Sequence, residues 1–198
     1  VPADGKVVLT GWADGRIKGF TPQTGKEMWV INEAHLNGVT AMASPDDLMI
    51  TGGMTGDICV WHLGARSRTL LKTLKEHHQK ISQIKFSTDG TEFVSASNDG
   101  SVIIWDADKL TGKQRFMAQT FFNGADLHQE TGILVTVSSD KRIVFWDSFN
   151  ATVIRELEAS LNAQPNSIDI SPDGKEFVTA GDDKLVKVWD FQEGELIA

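Results

Sequence analysis

The chain has 198 residues, 40% hydrophobic and 23% charged, with 18 Gly and 5 Pro, which is enough apolar material for one sizeable core and excludes intrinsic disorder. No apolar run approaches the ~20 residues of a membrane-crossing helix, and the opening VPADGKVV has neither the charged nor the apolar region of a signal peptide. A net charge of -8, from 27 Asp and Glu against 19 Lys and Arg, opposes general nucleic-acid binding, and a single cysteine, Cys59, excludes an internal disulfide framework and points to a reducing compartment.

Taken in chain order, the sequence predicts strand after strand. A hairpin is read over VVLTGWADGRIKGF, followed by a strand at EMWVIN; then VTAMAS, a hairpin at LMITGGMTGDICVW and a strand at TLLKTL. The same sequence of elements returns as ISQIKF, FVSASNDGSVIIW and QRFMAQ; as FNGADL, LVTVSSDKRIVFW and TVIREL; and as NSIDIS and FVTAGDDKLVKVW before the closing EGELIA. Each hairpin is two β-branched or aromatic runs around a polar turn, and turns such as Asp14-Gly15 and Asn98-Asp99-Gly100 hold residues that tolerate positive φ. TLLKTLKEH has some helical character, but the period assigns it to an outer strand and the loop after it.

The five hairpins align without gaps. Their closing aromatics, Phe20, Trp61, Trp105, Trp146 and Trp189, are 41, 44, 41 and 43 residues apart. Ten residues before each stands a hydroxyl residue: Thr10, Thr51, Ser95, Thr136 and Thr179. Six before each stands Asp14, Thr55, Asp99, Asp140 or Asp183. Four strands per ~40–45 residues, with a hydroxyl, a turn Asp and a terminal Trp, is the WD-repeat pattern of a β-propeller. The fold expected is all-β, about five blades of four-stranded antiparallel sheet, with units at approximately 1–38, 39–80, 81–120, 121–164 and 165–198. The set is expected to be an arc of a seven-bladed ring belonging to a longer chain, whose remaining blades would cover its open faces.

His77, Ser95 and Asp99 have the residue types of a serine-hydrolase triad, but the repeat assigns them differently. A His from the loop before a blade, the second-strand hydroxyl, the turn Asp and the third-strand Trp make a buried hydrogen-bonded tetrad, which is tolerable because the groups satisfy one another. The full set is His77, Ser95, Asp99 and Trp105. Partial sets are His35, Thr51 and Trp61, where Thr55 replaces the Asp; Thr136, Asp140 and Trp146; and Thr179, Asp183 and Trp189, where Leu161 takes the place of the His. The blade ending in Trp105 is expected to be the better anchored and that ending in Trp61 the looser. No catalytic residue, cofactor site or metal site is read. His77 and His78 are adjacent rather than spaced for one face. Cys59 shares its strand face with Trp61 as a small buried residue. Asp46-Asp47 and Asp182-Asp183 lack calcium-loop spacing, and Asn150-Ala151-Thr152 is a short sequon with no sign of secretion.

With these residues in place, the chain resembles the cilia- and flagella-associated protein 52 family of WD-repeat proteins. The stretches that carry the resemblance are VLTGWADGRIKGF, VINEAHLNGVTA, ATVIRELEASL and FVTAGDDKLVKVWDFQEGEL, including the non-standard Gly11-Trp12. The resemblance implies most of the second of two tandem propellers. It further implies a non-catalytic scaffold on the luminal wall of axonemal doublet microtubules in the cytoskeleton of a cilium or flagellum, binding tubulin and neighbouring inner proteins and stabilising the wall. The alternative resemblance is to a centriolar WD-repeat relative with similar blades. The other functional class is a soluble adaptor or peptide-recognition subunit of a signalling or ubiquitin-ligase complex; Ala13, Met54, Asn98, Ser139 and Asp182, just before the turn positions, show no cationic convergence that would favour phosphopeptide reading. For an acidic chain to meet acidic tubulin a local basic patch or a mostly apolar contact is required, and Arg66, Arg68, Lys72 and Lys75 form the candidate partner-binding patch on the rim. Lysines on an outer strand also guard against edge-to-edge aggregation.

Overall fold

Short runs of β-branched and aromatic residues, each ended by turn residues, leave the backbone little choice but strand. The computed structural model describes residues 5–159 and 163–198 of the chain and is all-β. It divides into two compact units, Val1–Phe86 and Ser87–Ala198.

The first unit holds sheet I, with β1 (Val8–Gly11), β2 (Ile17–Phe20) and β3 (Glu27–Ile31), and sheet II, with β4 (Val39–Ala43), β5 (Leu48–Gly53), β6 (Ile58–Leu63) and β7 (Arg68–Leu74). It ends on β8 (Ile81–Phe86), the strand the repeat assigns to the third sheet. The second unit continues with β9 (Glu92–Ser97), β10 (Ser101–Asp106) and β11 (Thr111–Met117) of sheet III. Sheet IV follows with β12 (Phe122–His128), β13 (Ile133–Ser138), β14 (Arg142–Asp147) and β15 (Thr152–Glu158), and sheet V with β16 (Pro165–Ile170), β17 (Glu176–Gly181) and β18 (Val186–Asp190). Neighbours in sequence are neighbours in each sheet and all pairings are antiparallel, as short hairpin loops require. TLLKTL is an outer strand, β7, and not a helix.

Sheets I and V hold three strands each. β1 carries Thr10 and so occupies the second-strand position. In sheet V the fourth strand is reduced to one bridge, Trp189 with Leu196. Gly194, at φ +73°, turns the chain tightly there, and Asp190 N donates to Glu195 O and Val188 N to Ala198 O.

The register explains the sequence period. In every sheet the hydroxyl residue pairs with the residue eight positions on: Thr10 with Lys18, Thr51 with Cys59, Ser95 with Ile103, Thr136 with Val144 and Thr179 with Lys187. The closing aromatic is therefore two residues further, on the same face of the third strand. A bulge falls immediately before it in sheets I to IV, between Gly19 and Phe20, Val60 and Trp61, Ile104 and Trp105, and Phe145 and Trp146. Such a bulge bends the outer strand and strengthens its twist.

Apolar side chains between sheets supply the stabilising burial. In the first unit Ile17, Met49, Cys59 and Trp61 are buried together, with Leu9, Trp29 and Val39 packed on them. In the second, Phe116, Phe122, Leu134 and Trp146 form one cluster, and Phe145, Ile168, Phe177 and Trp189 another. Fully burying each such side chain contributes about 1.5–3 kcal/mol. Phe93 and Phe177 stack on Trp105 and Trp189 with nearly parallel rings, at 5.7 and 5.9 Å between centroids. Asp126, itself buried, ties sheet IV to sheet V by accepting the Ile170 amide at 2.6 Å.

Candidate functional site

The polar machinery that the repeat places in each blade is a set of buried donors and acceptors. Trp61 donates its indole N–H to Thr51 Oγ1, Trp105 to Ser95 Oγ, Trp146 to Thr136 Oγ1 and Trp189 to Thr179 Oγ1, each at 2.9 Å. The hydroxyls are fully buried or nearly so, at 0% exposure for Thr51, Ser95 and Thr136. A hydroxyl sealed in this way offers no approach to a substrate carbonyl, so the pattern of a nucleophile is present without the access a nucleophile needs.

In sheet II the network is more complete than its sequence suggests. Trp61 donates to Thr51, and Thr51 Oγ1 lies 2.7 Å from His35 Nε2. The other ring nitrogen, Nδ1, meets the carboxylate of Asp57. Thr55 indeed stands at the turn position where other blades have Asp, but its hydroxyl donates to Asp57. The carboxylate has moved two residues along the turn, and the longer reach is bridged by the imidazole. Asp57 thus supplies the carboxylate that is missing at the Thr55 position. The contacts thus run from Trp61 through Thr51 and His35 to Asp57. Partial burial pushes the Asp57 carboxyl up, but the Thr55 hydroxyl and the His35 ring outweigh it and hold the group below its ordinary value.

Cys59 completes a group of three possible metal-ligand types, His35, Asp57 and Cys59, whose ligand atoms lie within 4.8 Å of one another. Burial pushes the Cys59 thiol up and the Asp57 charge adds to that, the behaviour of a buried structural cysteine. The thiol is engaged with Ala34 O at 3.7 Å and Thr73 Oγ1 at 3.8 Å, and His35 has both nitrogens committed.

The remaining sets vary on the same theme. Asp99 Oδ1 accepts the amide and the hydroxyl of Ser101, at 2.9 and 2.6 Å, while His77 is buried in the first unit. Asp140 Oδ1 accepts from Ser138 Oγ at 2.6 Å, and Thr136 Oγ1 donates to Val144 O. In sheet V, Leu161 lies outside the described residues. There Lys187 Nζ reaches Asp183 Oδ2 at 2.6 Å and Ala159 O at 2.9 Å, so an ammonium meets the turn carboxylate where sheet II uses an imidazole. Sheet I closes on Phe20, which has no N–H. Trp12 takes over from outside, donating to Thr10 Oγ1 at 2.8 Å, with Lys18 Nζ 5.2 Å from its ring centroid.

Outside the networks, the Asp of each Trp-Asp pair caps the following turn. Asp106 Oδ1 accepts the Asp108 and Lys109 amides, Asp147 Oδ1 those of Phe149 and Asn150, and Asp190 Oδ1 that of Glu193. Asn150 of the sequon is committed to this turn. Asp182 accepts from Gln164 and Asn166 rather than standing with Asp183 as a cation site.

Of the four basic residues read as a rim patch, Arg66, Lys72 and Lys75 are exposed. Arg68 is not presented with them. It is half-buried, with its guanidinium 4.5 Å from the Trp29 ring centroid, because β7 begins where sheet I supplies an aromatic face for the cation. The residues the sequence reading did not assign are Asp57, Lys187 and Trp12. Only Trp12 gave a signal, as a departure from the pattern.

Comparison with known proteins places the geometry in context. The family model described as WD domain, G-beta repeat matches residues 25–62, 68–106 and 152–190. The chain is 44% identical over 195 residues to cilia- and flagella-associated protein 52 of Homo sapiens, covering 98% of this chain and 32% of that protein. It is 38% identical over 193 residues to cilia- and flagella-associated protein 52 of Chlamydomonas reinhardtii, covering 96% and 31%. The chain thus spans about a third of the length of these curated relatives. Among solved structures it is similar in fold to a chain of the Mitotic Checkpoint Complex crystal structure, with a TM-score of 0.84 at 20% identity, over 98% of this chain and 60% of that one.

Proposed function

We propose that this chain, which belongs to the WD40 family (WD domain, G-beta repeat), is part of a non-catalytic scaffold of motile-cilium axonemes that binds tubulin and other inner-wall proteins and so stabilises doublet microtubules. The observation that carries the reading is the similarity along 98% of the chain to a protein named for cilia and flagella, retained at 38% identity in an alga. The buried hydroxyls support a structural use of the polar networks, and their energy goes into rigidity rather than chemistry. The exposed cations Arg66, Lys72 and Lys75, on and beside an outer strand, offer an acidic filament a local positive strip despite the net charge of -8.

The test is to tag the intact protein in a ciliated cell and to cosediment it with microtubules. Axonemal localisation with saturable cosedimentation is expected. A diffuse cytoplasmic signal with no pelleting above background would overturn the reading.

A further inference from the structure

The first unit carries a cavity of about 480 Å³ between sheets I and II, unrelated to the buried networks. Val7, Leu9, Met28 and Leu63 make it largely apolar, and the Trp29 ring and the Arg68 side chain line it as well. Met28 is 51% exposed, so the apolar surface extends to solvent.

Two donors here lack acceptors. Trp29 Nε1 and Arg68 Nε are buried and make no hydrogen bond. The Arg68 guanidinium lies on the Trp29 ring and meets no carboxylate among the described residues. Buried polar groups are normally paired, and leaving one unpaired is costly. A guanidinium held in place by an aromatic face, beside an apolar cavity, is a preorganised receptor for a carboxylate next to an apolar side chain.

Local charge points the same way. From Leu63 to Lys75 the chain has Arg66, Arg68, Lys72 and Lys75 and no acidic residue. The carboxylates lining the cavity, Asp46 and Asp47, are on the β4–β5 turn, where Asp47 lies 3.6 Å from His62. Neither makes an ion pair with Arg68.

We propose that this cavity docks an acidic peptide segment through one apolar side chain, with a flanking carboxylate on Arg68. The apolar residue fills the space walled by Met28, Trp29 and Leu63, and the acidic flank follows the β7 cations. This inference does not rest on the identity of the axonemal partners, since peptide binding in solution and cellular localisation fail independently.

The probe is a fluorescent pentapeptide, blocked at both ends, with Phe at its centre and two Glu on each side, titrated by anisotropy into the intact protein. Saturable binding is expected, weakened about tenfold or more when the central Phe is Ala, when all Glu are Gln, or when the protein carries Arg68→Gln or Met28→Glu. Lys175→Gln, at an exposed lysine of the second unit, should change it by no more than about twofold. Thermal melts of each variant identify any that fails to fold, and the two altered peptides test the same contacts on unaltered protein. Equal binding of the Phe and Ala peptides, equal binding of the Gln peptide, or no saturable binding overturns the proposal.

Discussion

Trp12 donates its indole N–H to Thr10 Oγ1 at 2.8 Å from two residues along the chain, the bond that Trp61, Trp105, Trp146 and Trp189 make at 2.9 Å from the third strands of the other sheets. The hydroxyl is common to all five; the donor's position along the chain is not. Trp12→Phe should therefore destabilise the first unit by about 1 kcal/mol, the net worth of one hydrogen bond. A double-mutant cycle with Thr10→Val, read by urea melts of the intact protein, should return a coupling of similar size. Additive losses would deny Trp12 this role.

Asp57 gives sheet II a sensitivity to acid. Its carboxyl is held below its ordinary value, so it contributes stability that is fully present above about pH 3.9, the unfolded value, and is lost as pH falls through the lower folded value. Asp57→Ala should cost about 1–3 kcal/mol at neutral pH, by depriving His35 of its acceptor, and should flatten stability against pH on the acid side. Thr55→Ala should cost less. The comparison is made by denaturant melts from pH 2.5 to 7, and a larger loss from the Thr55 variant would reverse the assignment.

Lys187 should matter more than its sequence position suggests. Its ammonium joins Asp183 to Ala159 O with only 17% of the side chain exposed, whereas Lys175 pairs with Asp173 at 3.7 Å with 80% exposed. Lys187→Met is expected to cost about 1–3 kcal/mol by leaving Asp183 without its cation, against about 0.5 kcal/mol or less for Lys175→Met. Hydrogen exchange should show the loss concentrated in β17 and β18.

Cys59 should be inert in the folded protein. It is 5% exposed, and burial pushes its thiol up. A maleimide added at pH 7 should label it only after denaturation; labelling of the folded protein at the rate of a free thiol would show that the interior of sheet II opens.

The exposed cations of β7 and its preceding loop make a salt-dependent prediction. Arg66→Glu, Lys72→Glu and Lys75→Glu together should weaken microtubule cosedimentation and flatten its dependence on ionic strength, since a docking patch is screened by salt. Unchanged pelleting with increased aggregation of the free protein would mark these residues as guards of an edge strand.

The sequence alone determined the repeat, the strands and their pairing in each hairpin. The hydroxyl, its partner eight residues on and the indole ten residues on belong to one pair of adjacent strands, so a fixed spacing in the chain becomes a fixed distance in space. The tertiary structure decided which groups complete each network. Nothing in the spacing shows that Asp57 rather than Thr55 faces His35, because His35 comes from the β3–β4 loop and Asp57 from the β5–β6 turn, and the imidazole spans the gap between them. Nor does it show that Lys187 meets Ala159 O, or that Arg68 lies on Trp29 instead of on the rim with Arg66. Those contacts join segments whose separation in the chain varies from blade to blade. They are chosen by how sheets pack and how far a side chain reaches, and no local pattern encodes either.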